Sequence, residues 1–313
     1  MDHIELDDGD ARAVLTAVTG PGHAAIGDLI RAHGAPDVLA LGLTGGLSGR
    51  PAAQVAAGLA RTGISSADDV HRLAERLQAT AKEHRARLLT PDDEAWPRSL
   101  SELHAHPSTA NWGEPWCLWV QGVDASHHRP RSAVVGNDWP STWAKQFTRD
   151  LTARLSEHGV TVVCSARLGV AAEAAAEAIA HRRTVNAVVA GGFGQTSQGV
   201  DPHLIEQIAA HGAVYASLPP HTPASAANAG YRDALLAAMS GPIAAIEVPS
   251  GSAKRPLFTT AKALDRAVYS AGHPYLITKR VGNAALESEG ALAISDPAVM
   301  ADAIAGIETP TDQ

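Results

Sequence analysis

The chain has 313 residues, 45% of them apolar and 19% charged, with a formal net charge of −8. That apolar share supports a substantial core, and the length fits one large domain with one or two smaller ones. No segment approaches roughly 18 uninterrupted apolar residues, which excludes a helical membrane span, and the acidic balance excludes a surface coated throughout by nucleic acid while allowing a local basic groove.

Met1-Asp-His-Ile-Glu-Leu-Asp-Asp8 is acidic where a signal peptide would be basic, so a cytoplasmic location and no membrane partner are expected. Residues 1–87 are rich in Ala and Leu at helical spacing, as in Asp10 to Val18 and Ala24 to His33. Gly20-Pro21-Gly22 and a Gly-rich turn at residues 42–49 break them. A small all-helical domain follows from this pattern. Its Gly-Pro-Gly turn is similar to helix-hairpin-helix (SAM-like) modules, where backbone amides approach a phosphate, and a plain tight turn in a small bundle reads equally well.

No aromatic residue precedes Trp96, and all six tryptophans lie between Trp96 and Trp143. This marks a composition boundary. Residues 88–130 lead into a second domain, with short strands expected at Leu88-Leu-Thr90 and Trp116 to Gln121. The tryptophans here read as core and packing residues, with an exposed platform for stacked bases as the sharper alternative. Cys117 and Cys164 occupy apolar strand-like runs and are expected as buried thiols in a reducing compartment.

From residue 131 to 272, apolar strands alternate with helices. Ser132 to Gly136, Val160 to Ser165, Thr184 to Gly192 and Ile243 to Val248 are the clearest strands, and Ala213 to Ser217 is a weaker one. Continuous Val/Ile/Ala runs mean strands covered on both faces, and helices between them mean parallel crossovers. The fold class is therefore α/β, a doubly wound, mostly parallel Rossmann-like sheet preceded by a small all-helical domain. The expected boundaries are 1–87 for the helical domain, 88–305 for the sheet domain and 306–313 for a short tail, which leaves no room for a further domain.

Ligands bind such sheets at the carboxyl ends of the strands. There lie Gly136 and Asn137, then Ser165 with Arg167 and Gly169, then Gly191 and Gly192, and finally Ser250, Gly251 and Ser252 followed by Lys254 and Arg255. The last loop is the best anion site, because small residues expose amides, two cations neutralise phosphate and the next helix presents its positive end. Arg167 and Arg232 fall where they could converge on the same face. Glu247, at a strand end, reads either as a ligand for a hydroxyl or as a cap on the next loop. No G-x-G-x-x-G follows Val135 and no Walker loop exists, so neither NAD nor ATP is expected. Gly191 to Thr196 is similar to a phosphoribohydrolase loop, but Gln195 intrudes before Thr196 and no glutamate follows in the next turn. The fifteen histidines lack zinc spacing, and Ser165 lacks a nucleophile elbow. Neither a metal, a cofactor nor a catalytic group is expected.

The order of segments carries more than any one of them. Leu88-Leu89-Thr90 with Asp93, Trp96 and Pro97, then Pro115 to Gly122, Ala133 to Gly136, Val162 to Gly169, Thr184 to Gly192, Leu204 to Ala213, Ser217 to Pro220, Tyr231 to Ser240, Ile246-Glu247 with Ser250-Gly-Ser252, and Val281-Gly-Asn283 with Glu289-Gly-Ala291 resemble, in sequence, the motifs of the DprA/Smf family. The resemblance spans nearly the whole chain. It implies single-stranded DNA binding by a positively charged pocket of the Rossmann-like domain, homodimerisation and loading of a RecA-type recombinase during transformation or recombination, without catalysis. Three polar positions of the family pattern differ: Asp138 stands for an arginine, Ala171 and Ala175 for an acid and a histidine, and Arg232-Asp233-Ala234 for an Arg-Asn-Arg triplet. A reversed charge repels the phosphate backbone, so Lys254, Arg255, Arg167, Lys279 and Arg280 are expected to supply charge from other loops. Two other functions fit the same residues: a nucleotide or small-ligand sensor or hydrolase, and a scaffold whose pocket has decayed.

Overall fold

The computed structural model describes residues 5–46, 48–105, 112–124, 128–195, 199–251 and 255–307. The chain divides into two compact units, one of residues 1–121, 190–195 and 216–225, the other of residues 122–189, 196–215 and 226–313. The first unit thus continues beyond the boundary expected at residue 87.

Five helices build most of the first unit: α1 (Asp8–Thr19), α2 (Ala24–His33), α3 (Ala35–Thr44), α4 (Gly49–Arg61) and α5 (Ala67–Glu83). Helix α1 starts where the Asp7 carboxylate accepts the Gly9 N–H, and α5 where Ser66 and Asp69 form a reciprocal capping box. Their apolar faces bury Val14, Leu15, Ile26, Val38, Leu39, Val55 and Val70 together with Trp116. The glycine-rich turn expected from residue 42 begins later. Gly42 lies inside α3, where a Cβ would stand 2.8 Å from Val55 Cγ1, so its missing side chain serves helix packing. Strand β1 (Arg87–Leu89) pairs antiparallel with β2 (Leu118–Gly122), and the short helix α6 (Glu102–Ala105) lies between them in sequence.

The second unit runs β3 (Arg131–Gly136), α7 (Thr142–Glu157), β4 (Thr161–Cys164), α8 (Val170–Ala180), β5 (Val185–Val189), α9 (Pro202–His211), β6 (Ala213–Ala216) and α10 (Ala226–Ala238). It continues with β7 (Ile243–Ile246), α11 (Arg255–Ala263), β8 (Val268–Ala271), α12 (Val281–Ser288), β9 (Leu292–Ala293) and α13 (Pro297–Ala305). Its strands lie in the order β6-β5-β4-β3-β7-β8-β9, with β3/β4, β4/β5, β3/β7, β7/β8 and β8/β9 all parallel. Strands β4 to β7 are buried at every residue, which accounts for their largely apolar sequences, with Thr161 and Asn186 the polar exceptions. The winding runs outward from β3 in one direction and from β7 in the other. Among the described residues no helix is long and apolar enough to cross a membrane.

Candidate functional site

A doubly wound sheet opens a crevice where its strand order reverses, at the carboxyl ends of the two strands flanking the switch. Here those strands are β3 and β7, paired from Ala133↔Ile243 to Gly136↔Ile246. Gly136 ends β3, and a Cβ there would lie 2.1 Å from the Ile246 carbonyl oxygen, so the close approach of β7 admits only glycine. Asn137 then turns the chain: its side-chain oxygen accepts the Trp139 N–H at 2.9 Å, and its backbone carbonyl accepts the Val170 N–H at 3.0 Å. Ser141 caps α7 through its hydroxyl, which accepts the Ala144 N–H at 3.2 Å.

Glu247, fully buried at the end of β7, reaches this loop. Its Oε2 accepts the Ser141 N–H at 2.7 Å, and its backbone takes a left-handed φ of 46°. The contact is neither with a ligand nor with the loop that follows β7: this carboxylate holds the loop after β3. The next residue is held by Asn283, itself fully buried: its oxygen accepts the Val248 N–H at 2.7 Å, and its amide donates to Ala245 O at 3.0 Å and Ser270 Oγ at 2.9 Å.

The loop after β4 packs beneath the loop after β3. Ser165 is buried, Ala166 takes a φ of 51°, and Gly169 takes 82° at the start of α8. A Cβ on Gly169 would stand 2.2 Å from the Asn137 carbonyl oxygen, so only glycine lets the two loops meet. Arg167, partly exposed, donates from Nη2 to Asp138 Oδ2 at 2.8 Å. The aspartate found in place of the family arginine thus pairs with the cation of the neighbouring loop. Cys164 closes β4 as a free thiol that burial pushes up to about 11, so it stays protonated and inert at neutral pH. Cys117, in the first unit, is likewise free and pushed up to about 12 by burial.

The other expected residues fall as follows. Ser250 and Gly251 are exposed after β7, with open space where a Gly251 Cβ would project. Ser252 and Lys254 lie outside the described residues, and Arg255 opens α11, its side chain likewise outside the description. Arg232 does not converge on the loops as an available cation: it is 6% exposed within α10, and its Nε and Nη2 donate to Asp233 Oδ1 at 3.0 and 2.6 Å. Burial of an arginine requires a partner charge, and its sequence neighbour supplies it. Gly191 and Gly192 belong to the first unit. Gly192 donates its N–H to the Thr222 carbonyl at 2.8 Å, and a Cβ would stand 1.8 Å from the Pro219 carbonyl oxygen. These two glycines admit their own chain closely. Lys279 donates to the Trp139 carbonyl at 3.3 Å, and Arg280 Nη2 lies 3.5 Å from Glu287 Oε2.

Sequence reasoning assigns no role at this site to three residues, of which Asn283 is named only within a family motif. Ser141 and Asn283 are positioning groups, and Trp139, in the loop itself, is 77% exposed. Ser141 before the apolar face of α7 is a cap signal that was present in the sequence. Elsewhere, an open groove of about 800 Å³ in the first unit is lined by Asp7, Asp8, Asp10, Asp92 and Asp93 against Lys82 and Arg85, an acidic balance that opposes an anionic ligand. Among the described residues no group of three or more His, Cys, Asp or Glu is placed to hold a metal ion.

The profile of the family described as DNA recombination-mediator protein A matches residues 87–305. A putative DNA processing protein DprA of Mycobacterium tuberculosis is 29% identical over 211 residues, covering 66% of this chain and 54% of that protein. Protein Smf of a Synechocystis species is 25% identical over 185 residues, covering 58% of this chain and 45% of its own length. The chain therefore spans about half the length of the curated relatives it matches. In structure it is similar to DNA processing protein A of Streptococcus pneumoniae, with a TM-score of 0.72 and 17% identity over 97% of this chain and 99% of the other. DNA processing protein A of Helicobacter pylori, described for its single-stranded DNA binding mode, matches with a TM-score of 0.61 and 16% identity over 71% of this chain and 97% of its own. At these identities the structural likeness establishes the fold.

Proposed function

The chain belongs to the family of DNA recombination-mediator protein A, and from that premise we propose that it binds single-stranded DNA at the carboxyl ends of β3, β4 and β7. In this reading it serves recombination or DNA uptake as a homodimeric accessory protein that loads a RecA-type recombinase. The observation that carries it is the convergence of the Gly136–Ser141, Ser165–Gly169 and Glu247–Gly251 loops at the reversal of strand order. Glycines there bring backbone close to backbone, Gly251 leaves open space above its own, and Arg167 and Lys279 stand at the loops. Such a site can admit a single strand, with Lys279 contributing charge while Arg167 is paired with Asp138, and a mediator needs no bond-breaking chemistry from it.

Binding of a fluorescent oligothymidylate, measured at low and high salt against duplex DNA, tests the reading. Counterion release predicts affinity that falls steeply with salt and a preference for the single strand. Equal affinity for duplex, or no binding at low salt, overturns it. In the second case a nucleotide that raises the unfolding temperature would identify a small-ligand sensor on the same sheet.

A further inference from the structure

We propose that Trp139 is a base-stacking platform of this site, so that the loop after β3 grips a single strand through a nucleobase rather than through a phosphate. The inference rests on the single-strand reading and deepens it. Three observations support it.

Of the six tryptophans, Trp96, Trp116 and Trp119 are buried and Trp112 and Trp143 are partly so, whereas Trp139 is 77% exposed. A tryptophan offers roughly 150–250 Å² of contact area, most of it is open here, and the residue sits in the loop that follows β3 at the reversal of strand order. The loop is also held on both sides of this residue. Its N–H donates to Asn137 Oδ1 at 2.9 Å, its carbonyl accepts from Lys279 Nζ at 3.3 Å, and Pro140 restricts its backbone to extended conformations. A backbone that is held before binding leaves only the side-chain rotamer to be ordered on contact.

The charge pattern then decides what the indole meets. The preceding residue, Asp138, faces Arg167 at 2.8 Å, so these two opposite charges cancel locally and the loop offers a phosphate little net attraction. The Lys279 ammonium, bonded to the Trp139 carbonyl, stands at the same loop and favours an anionic polymer over an uncharged apolar partner. An exposed indole on a loop whose backbone carries one cation suits a nucleotide, whose base stacks while its phosphate lies nearby.

The test compares wild type with Trp139→Ala and Trp139→Phe by fluorescence anisotropy, using an oligothymidylate and an abasic oligonucleotide of the same length across a salt series. Stacking on one base predicts that Trp139→Ala weakens oligothymidylate binding about tenfold, leaves abasic binding and the salt slope unchanged, and is largely rescued by Trp139→Phe. Equal binding of oligothymidylate by wild type and Trp139→Ala overturns the stacking while leaving the single-strand reading intact. So does an equal loss on both oligonucleotides. A change in sedimenting mass with unchanged DNA affinity overturns it in favour of a contact between copies of the chain. Wild type that binds neither oligonucleotide overturns the single-strand reading and the stacking with it.

Discussion

Replacing Asp138 by asparagine keeps the size of the side chain and removes the charge that faces Arg167 across 2.8 Å. Both side chains are about one third exposed, so losing this pair costs the fold only about 0.2–1 kcal/mol. The effect on a bound strand is larger. A phosphate about 7 Å from the carboxylate is repelled by roughly 0.6 kcal/mol in water, about threefold in affinity. Arg167, no longer neutralised there, adds one cation to those facing the strand, which steepens the salt dependence of log K by about 0.7. Asp138→Asn should therefore bind oligothymidylate roughly three- to tenfold more tightly than wild type in about 50 mM salt, and that gain should shrink about 2.6-fold by 200 mM. Anisotropy titrations at four or five salt concentrations give both numbers. Asp150→Asn, an exposed carboxylate on α7 bonded to Gln146, serves as the control for net charge. An Asp138→Asn slope and affinity matching wild type would refute the placement of the strand against this loop.

Two further outcomes are expected from the structure. Asn283→Ala removes three hydrogen bonds in a fully buried setting and leaves the Val248 N–H without its acceptor, a loss of roughly 3–5 kcal/mol in urea unfolding; a change below about 1 kcal/mol would show that the side chain does not join β7 to β8. Glu114, in the first unit, is raised above the ordinary carboxylate value mainly by burial, against the hydrogen bond it accepts from Trp96 at 3.1 Å. A carboxyl raised in the folded state holds its proton more tightly there, so its contribution to stability is present below the ordinary value and is lost as pH rises through the folded one. Glu114→Gln should be as stable as wild type or more so at pH 7, with the difference vanishing as pH falls through that window. A variant that is less stable by the same amount at both ends would contradict this.

The fold class was legible because it rests on local pattern. Val185–Val189 has no polar alternation beyond Asn186, whose oxygen accepts the Ala213 N–H at 3.0 Å, and such runs separated by amphipathic helices admit few arrangements other than a parallel sheet covered on both faces. The strand-end loops were legible for the same reason, since small residues after an apolar run mark the turn into a helix. Family membership was readable from the order of short motifs, each of which was weak alone.

What the sequence determined by itself is thus the alternation of strands and helices, the helical character of the stretch between Asp8 and Glu83 and the places where strands give way to loops. Only the tertiary structure decided which of those loops meet. Pairing Ala133 with Ile243 joins segments more than a hundred residues apart, and no window of sequence contains the information that places the reversal of strand order between β3 and β7. The fates of the charges were decided in the same way. Arg232, which looked like a ligand-facing cation, is buried with Asp233, and Asp138, which looked like a lost contact, is paired with Arg167 from the next loop. Backbone propensity is set by near neighbours, whereas burial and charge pairing depend on what the folded chain brings from a distance.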